Sequence, residues 1–305
     1  MSNTTSNIMV SIFVLTYNQE KYISQTINSL LNQKANFPFN IVIGDDCSSD
    51  KTLQILEDFK SNYPAVIKLI KSKKNNGLIK NYIKTIKQCD GKYIAICDGD
   101  DYWIDDYKIQ KQVNFLENNK DFSIVFTKKI DLYGENEFIK DKNIKPEISD
   151  FDTIIKGNFI ASVTVLFRNY FYQNKLPKYY LKYPYGDWPC YLRVTNDGTK
   201  IKFLNEYTAV YRKTTGITTK MRKKPIYFLK YNLDILKDIY KDPFFNKNKK
   251  IIKKSIVKNQ MMLMQSLNKN KKYLKGIKLF SHLIFKTNFF DLNKKFIKSI
   301  LKSNR

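Results

Sequence analysis

Histidine is almost missing from this chain, with one in 305 residues. Cysteine is scarce as well: Cys47, Cys89, Cys97 and Cys190 are scattered and form no C-x-x-C pair. A zinc site built on thiolates and imidazoles therefore has no basis, and isolated thiols suit a reducing, cytoplasmic compartment. Chemistry that needs a Cys–His pair is equally unsupported. No run of 18 apolar residues occurs, so no segment reads as a membrane-spanning helix. Residues 1–7 form a polar tail without a basic start and apolar continuation, unlike a secretory signal. Internal repeats, low-complexity linkers, zinc-finger motifs and aromatic RNA-binding motifs are not found either.

Acidic charge is the scarcer sign, 28 Asp and Glu against 54 Lys and Arg, which leaves a net +26. The excess is uneven. Residues 220–305 hold 24 Lys and Arg and 4 Asp, a net +20, so that only +6 remains for residues 1–219. A basic segment attracts phosphates, in nucleic acid or in lipid headgroups. Lysine abundance along the whole chain also allows plain solvated faces. Apolar residues at 43% and aromatics at 14% give ample material for a folded core.

Against this basic background, three carboxylates crowd into four residues. The stretch from Gly91 to Trp103 begins as an apolar, β-rich run, Tyr93 to Cys97, and ends in Asp98, Asp100 and Asp101. Carboxylates this close repel one another unless a cation lies between them, and oxygen ligands suit Mg²⁺ or Mn²⁺. Such ions commonly share their coordination with substrate phosphates. A solvated acidic turn is the competing account.

Strand and helix patterns alternate through the first hundred residues. Val10 to Leu15 is a buried-strand pattern, followed by helical spacing at Ile23, Ile27, Leu30 and Leu31. Asn40 to Gly44 is a second strand pattern that runs into Asp45-Asp46, with Ser49 or Asp50 placed to cap a helix through Leu53, Leu56 and Phe59. Val66 to Ile70 is a third, and a helix through Tyr82, Ile83 and Ile86 follows a turn at Asn75 to Gly77. Such alternation predicts a mostly parallel α/β sheet, which binds ligands beyond the carboxyl ends of its strands. Thr16-Tyr17, Asp45-Asp46 and Asp98 to Asp101 all follow strand ends and converge on that edge.

The segments Val10 to Asn18, Asp45 to Thr52, Asn75 to Asn81 and Gly91 to Trp103, in this order and spacing, resemble glycosyltransferase family 2. Its members are inverting nucleotide-sugar transferases of the GT-A fold, and the likeness is to bacterial ones that build surface polysaccharides. The resemblance implies a Rossmann-like central sheet flanked by helices over residues 8–219, with 8–105 serving the nucleotide sugar and 106–219 the acceptor, followed by an all-α basic segment over 220–305. It implies that Thr16 and Tyr17 border the base, that Asp45 hydrogen-bonds it, and that Lys80 approaches the phosphates. Asp98 would face the ribose, Asp100 would bind the Mn²⁺ or Mg²⁺, and Asp101 would hold it through water. Asp46 and Asp50 read instead as turn and cap residues.

Downstream, Ser123 to Thr127 is a short strand pattern, Ile130 to Asp150 reads as a charged loop over the site, and Gly157 to Ile160 and Val163 to Arg168 match the family's acceptor-side strand. Asp187 falls where the family places its catalytic base, and it can also cap the helix behind Trp188. After a last strand pattern, Asn205 to Tyr211, Arg212 is either a diphosphate contact or a surface salt bridge. Relatives often carry histidine where this chain has Thr214, so no role for such a histidine transfers. From 220 onward apolar residues recur at helical spacing, and His282 reads as a packed side chain.

The resemblance thus implies transfer of a sugar from a nucleotide diphosphate, a UDP-sugar first, to a hydroxyl of a glycan or lipid-linked oligosaccharide. No nucleic-acid partner is expected. The enzyme would be cytoplasmic, and amphipathic spacing at Phe289, Leu292, Phe296 and Ile300 beside lysines would either hold residues 220–305 on the inner face of an anionic membrane or pack that stripe on the catalytic domain with the lysines facing water. Two other accounts stay open from the sequence: a nucleotidyltransferase acting on sugar phosphates, and a non-enzymatic nucleic-acid binder driven by the basic segment. The first usually carries a Gly-rich basic loop where Thr16 to Gln19 stands, and the second leaves three acidic strand ends without a purpose.

Overall fold

The computed structural model describes residues 7–172, 176–213, 221 and 224–301. Two compact units emerge, Met1–Phe151 with Phe159–Gly216, and Asp152–Asn158 with Ile217–Arg305. The boundary expected near 219 lies outside the described residues.

The first unit is built on a ten-stranded mixed sheet. Its parallel half comprises β1 (Val10–Thr16), β2 (Phe39–Asp45), β3 (Ile67–Lys71) and β4 (Tyr93–Ile96), joined by α1 (Ile23–Leu31), α2 (Thr52–Asn62) and α3 (Leu78–Ile86). Continuous apolar runs formed these strands because helices cover the sheet, and every residue of β1 and β4 is buried. The order across the sheet is β3-β2-β1-β4, so the sequence of strands moves one way from β1 and then the other way to β4, while all four stay parallel. A crevice opens beyond the strand ends at such a reversal. Register places Thr16 beside Asp45 at that edge.

The remaining strands are β5 (Tyr102–Trp103), β6 (Phe122–Tyr133), β7 (Glu137–Lys140), β8 (Ile148–Ser149), β9 (Leu166–Arg168) and β10 (Lys200–Arg212). β9 lies antiparallel between β4 and β6, while β10 runs parallel to β6. Helix α4 (Lys108–Asn118) precedes β6, and α6 (Asp187–Val194) precedes β10.

Two expectations are corrected here. The charged stretch after Ile130 is not simply a loop: β6 continues to Tyr133 and pairs with β7, with Ile130 opposite Lys140 and Tyr133 opposite Glu137. Gly134, at φ 59°, makes the turn that a side chain would strain. The charges misled because β7 is exposed throughout and tolerates them. Gly157 to Ile160 forms no strand; a single 3-10 turn, Ser162–Thr164, leads into the short β9.

In the second unit the segment Asp152–Asn158 carries most of α5 (Phe151–Ile154). The Ser255 hydroxyl donates to the Ile155 carbonyl at 2.7 Å and clips this segment to its helical unit. That unit contains α7 (Pro225–Lys241), α8 (Lys249–Lys269), α9 (Tyr273–Leu283) and α10 (Phe289–Leu301). Ile226, Leu229 and Leu233 of α7 pack on Leu263 and Leu267 of α8. Met264, Leu283 and Leu292 form a second small core, with Phe296 against it. The row through Leu292 and Phe296 thus faces inward and is not open to a membrane. His282 is exposed and not packed, its Nε2 lying 2.7 Å from Lys286 Nζ, because only one row of the apolar stretch around it turns inward.

Candidate active site

The loops after β1 and β2 are knitted to each other. Asn18 and Cys47 both adopt left-handed backbone, at φ 53° and 65°. The Asn18 N–H donates to the Ser48 hydroxyl at 3.0 Å, and the Ser49 N–H donates to Asn18 Oδ1 at 2.8 Å. Asp45, fully buried at the end of β2, accepts from the Ser48 N–H at 3.0 Å. Thr16 is buried beside it, and its hydroxyl oxygen has no hydrogen-bond partner. Tyr17 points outward, 45% exposed. Asp46 performs turn chemistry: its carboxylate accepts from the N–H groups of Asn76 and Gly77 at 3.0 and 2.8 Å. That fastens the loop from which α3 starts, and Lys80 stands exposed on the first turn of that helix. Asp50 accepts from the Glu20 and Thr52 N–H groups and so ties the start of α2 to the loop after β1.

The acidic loop leaves β4 under tight restraint. The Gly99 N–H donates to the Leu15 carbonyl at 2.9 Å. A Cβ at Gly99 would displace the end of the Gln19 side chain and crowd Thr16 Cβ and the Leu15 carbonyl at 3.0 and 3.1 Å, so glycine eases the loop's lie against the end of β1. From α1 the Thr26 hydroxyl reaches the Gly99 and Asp101 carbonyls at 2.9 and 2.7 Å. Asp98 is half-buried and its Oδ2 accepts from the Ser162 hydroxyl at 3.1 Å. Burial first, and then the charges of Asp100 and Asp187, push its carboxyl up to about 7. Asp101 is buried; its Oδ1 accepts from the Arg212 N–H at 2.8 Å, while Oδ2 has no partner. Burial, Asp100 and Asp98 drive it well above the usual carboxylate range.

Asp187 opens α6 at its first helical position, half-buried, so it stands inside the helix and the capping position falls to Gly186. Its charge acts on Asp98 and on Tyr191, one turn further along α6. The fold therefore joins Asp98, Asp100 and Asp187 into one electrostatic cluster although Asp187 is some ninety residues away in sequence. Gly186, just before Asp187, packs face-on against α3, because a Cβ there would meet the Tyr82 ring at 2.7 to 2.9 Å. The Tyr191 hydroxyl is buried in this neighbourhood without a hydrogen-bond partner.

Among the described residues, no three His, Cys, Asp or Glu side chains are disposed to cage a metal by themselves. The donor set nevertheless suits Mg²⁺ or Mn²⁺, which bind through one or two carboxylates and complete their shell with phosphate and water. Crowded carboxylates and the unpaired Asp101 Oδ2 are the observations that fit a cation.

Arg212 is no surface salt bridge. It is buried at the end of β10, with its guanidinium stacked between Tyr22 and Tyr102, 4.6 and 4.9 Å from the ring centroids. It donates to the Asp100 carbonyl and to Gln25 Oε1. These contacts brace the acidic loop from behind. Arg212→Met is expected to cost about 1–3 kcal/mol of stability, since it takes the guanidinium donor from the Asp100 carbonyl in a buried place. Nucleotide diphosphate affinity should fall with it. A thermal melt separates this from a pure diphosphate contact, because an unchanged melting temperature alongside weakened binding would sink the bracing role.

Several contributors had little or no sequence signal. Ser162 sits on an irregular turn whose position depends on Trp103 Nε1 donating to the Val163 carbonyl and Gln112 Nε2 donating to the Thr164 carbonyl, each at 2.9 Å. Thr26 was detectable in principle as a polar residue within the apolar face of Ile23, Ile27 and Leu30. Thr214 lies outside the described residues.

The profile described as Glycosyl transferase family 2 matches residues 11–184. An uncharacterized protein of Mycobacterium tuberculosis is 31% identical over 210 residues, which cover 67% of this chain and 58% of that protein. The chain thus spans well under two thirds of such mycobacterial relatives. TuaG of Bacillus subtilis, named as a teichuronic acid biosynthesis glycosyltransferase, is 30% identical over 207 residues, 67% of this chain and 79% of TuaG. Among solved structures, Staphylococcus aureus TarS 1-349 in complex with UDP-GlcNAc matches with a TM-score of 0.62 at 17% identity, over 96% of this chain and 89% of that one. A mannosyltransferase from Pyrobaculum calidifontis, in complex with GDP-Man and Mn²⁺, matches with a TM-score of 0.56 at 13% identity, over 98% of this chain and 88% of that one. At these identities the solved structures speak to the fold.

Proposed function

The chain belongs to glycosyl transferase family 2, and on that premise we propose that it transfers a sugar from a nucleotide diphosphate to a hydroxyl of a glycan or lipid-linked acceptor, inverting the anomeric centre. The donor of first choice is a UDP-sugar, in keeping with the UDP-GlcNAc complex of TarS. The observation that carries the proposal is the cluster of Asp98, Asp100 and Asp187 beyond the ends of parallel strands, where the strand order reverses between β1 and β4.

Residues 8–105 would receive the donor and 106–219 the acceptor. Thr16 and Tyr17 border the base, and the buried Asp45 offers it an acceptor oxygen. Asp98 holds the ribose, while Lys80 and Arg212 attend the phosphates, Arg212 also through the loop it supports. Asp100 would hold Mn²⁺ or Mg²⁺, with Asp101 behind it through water. A divalent cation there supplies neutralisation of the charge that grows on the leaving diphosphate. Asp187 takes the proton from the acceptor hydroxyl as that oxygen attacks C1 of the sugar, so the C1–O bond to the diphosphate breaks while the new one forms. A single displacement needs no enzyme nucleophile, which agrees with four free cysteines and one histidine.

The setting would be the cytoplasmic face of a membrane that carries surface-polysaccharide intermediates. A panel of nucleotide sugars tests the core of the proposal: with Mn²⁺ or Mg²⁺, at least one UDP-sugar should raise the melting temperature and undergo slow hydrolysis. No stabilisation by any nucleotide diphosphate, together with salt-sensitive binding to RNA or DNA, would refute it.

A further inference from the structure

The last two helices of the second unit bury one face each and leave a second apolar face open. On α9, Leu283 is fully buried and Gly276 lies so close to α8 that a Cβ would meet Asn268 Oδ1 at 1.8 Å. On its other side Leu274 and Ile277 are 85% and 50% exposed, and Phe285, just past its end, is 94% exposed. On α10, Leu292 and Ser299 are buried, while Phe290, Ile297 and Leu301 are 83%, 48% and 63% exposed. Leu274, Ile277 and Phe285 recur at helical spacing, as do Phe290, Ile297 and Leu301, so each set lines one side of its helix.

Exposed apolar residues scattered singly need no explanation, but rows of them mark an interaction surface. The charge around these rows is of one sign. Residues 273–301 hold six Lys against one Asp, a net +5, and the Asp, Asp291, is already paired with Lys295 at 2.6 Å. Lys275, Lys278, Lys294 and Lys298 lie exposed on the same two helices.

We propose that this second face of α9 and α10 is an interfacial docking surface for an anionic lipid bilayer. Apolar side chains enter the headgroup boundary while the lysines meet lipid phosphates. The inference rests on a membrane-borne acceptor but differs from the row expected from sequence, since Leu292 and Phe296 serve the core and the opposite row remains. A second copy of this chain would have to bring two net +5 surfaces together, and nucleic acid would leave Leu274 and Ile297 in water.

The test is co-sedimentation of the full chain with phosphatidylcholine vesicles and with mixed phosphatidylcholine–phosphatidylglycerol vesicles. Binding is expected only to the mixed vesicles, and it should weaken as salt screens the lysines. The double variant Phe285→Ser/Phe290→Ser, at two exposed positions, should melt like the wild type and bind about tenfold more weakly. Its transfer to a soluble acceptor should be unchanged, which separates loss of docking from failure of the glycosyltransferase assignment. Equal binding to both vesicle types, no binding to either, or wild-type binding by the variant would each overturn the proposal. So would self-association that the double substitution abolishes.

Discussion

Asp187→Asn is expected to bind the nucleotide-sugar donor normally and to lose transfer by roughly 10²–10⁴-fold, the scale of a missing general base. The substitution removes the proton acceptor and keeps the shape. Asparagine can hold the same first helical position of α6, so the half-buried turn behind Gly186 should survive. Two readouts separate chemistry from structure. Donor affinity, followed by thermal shift or calorimetry, should stay near wild type or improve, because one negative charge leaves the neighbourhood of Asp98 and of the donor's diphosphate. Single-turnover transfer should collapse. If transfer proceeded at close to the wild-type rate, Asp187 would be only a helix-terminal residue, and the acceptor proton would have to leave by another group.

The parts of this architecture that sequence reveals are those where one physical demand acts alone. Strands β1, β2 and β4 must be apolar on both faces, so their runs are unbroken and easily seen. Polar residues that follow such runs end at one edge by topology, which is why Thr16, Asp45 and Asp98 could be placed together in advance. Where two demands compete, the pattern blurs. β7, Glu137-Phe138-Ile139-Lys140, carries a charge at each end and is exposed throughout because it lies at the end of a hairpin, and it resembles a loop. Ser162 occupies a turn fixed by Trp103 and Gln112 from elsewhere in the chain, so nothing local announces its bond to Asp98. Arg212 looks like a phosphate ligand by type, whereas its burial between Tyr22 and Tyr102 depends on packing that brings residues 22, 102 and 212 together. The two faces of α10 were ambiguous for a related reason. Both are apolar at helical spacing, and only tertiary packing decides which one becomes core.

Asp100→Ala is expected to abolish the metal-dependent part of nucleotide diphosphate binding while leaving the fold intact. Asp100 is 7% exposed and shares its surroundings with Asp98 and Asp101, whose carboxyls are driven upward by burial and by its charge. Free of any counter-ion, that crowding destabilises the folded chain, so removal of one charge should leave the melting temperature unchanged or raise it slightly. The main-chain supports of the loop, Thr26 on the Gly99 and Asp101 carbonyls and Arg212 on the Asp100 carbonyl, do not involve the Asp100 side chain. Stability and ligand response should therefore separate: wild-type protein tightens on UDP when Mn²⁺ is added, and the variant does not. A cation bound by one or two carboxylates and the diphosphate has little to replace a lost carboxylate with here, because no three acidic, Cys or His side chains among the described residues are disposed to hold an ion by themselves. Asp101→Asn is the informative companion. Its Oδ1 can still accept from the Arg212 N–H, so a variant that keeps most of the Mn²⁺ effect would assign Asp101 to the support of the loop and leave the metal to Asp100. An Mn²⁺ effect of wild-type size in Asp100→Ala would remove the cation from this loop altogether.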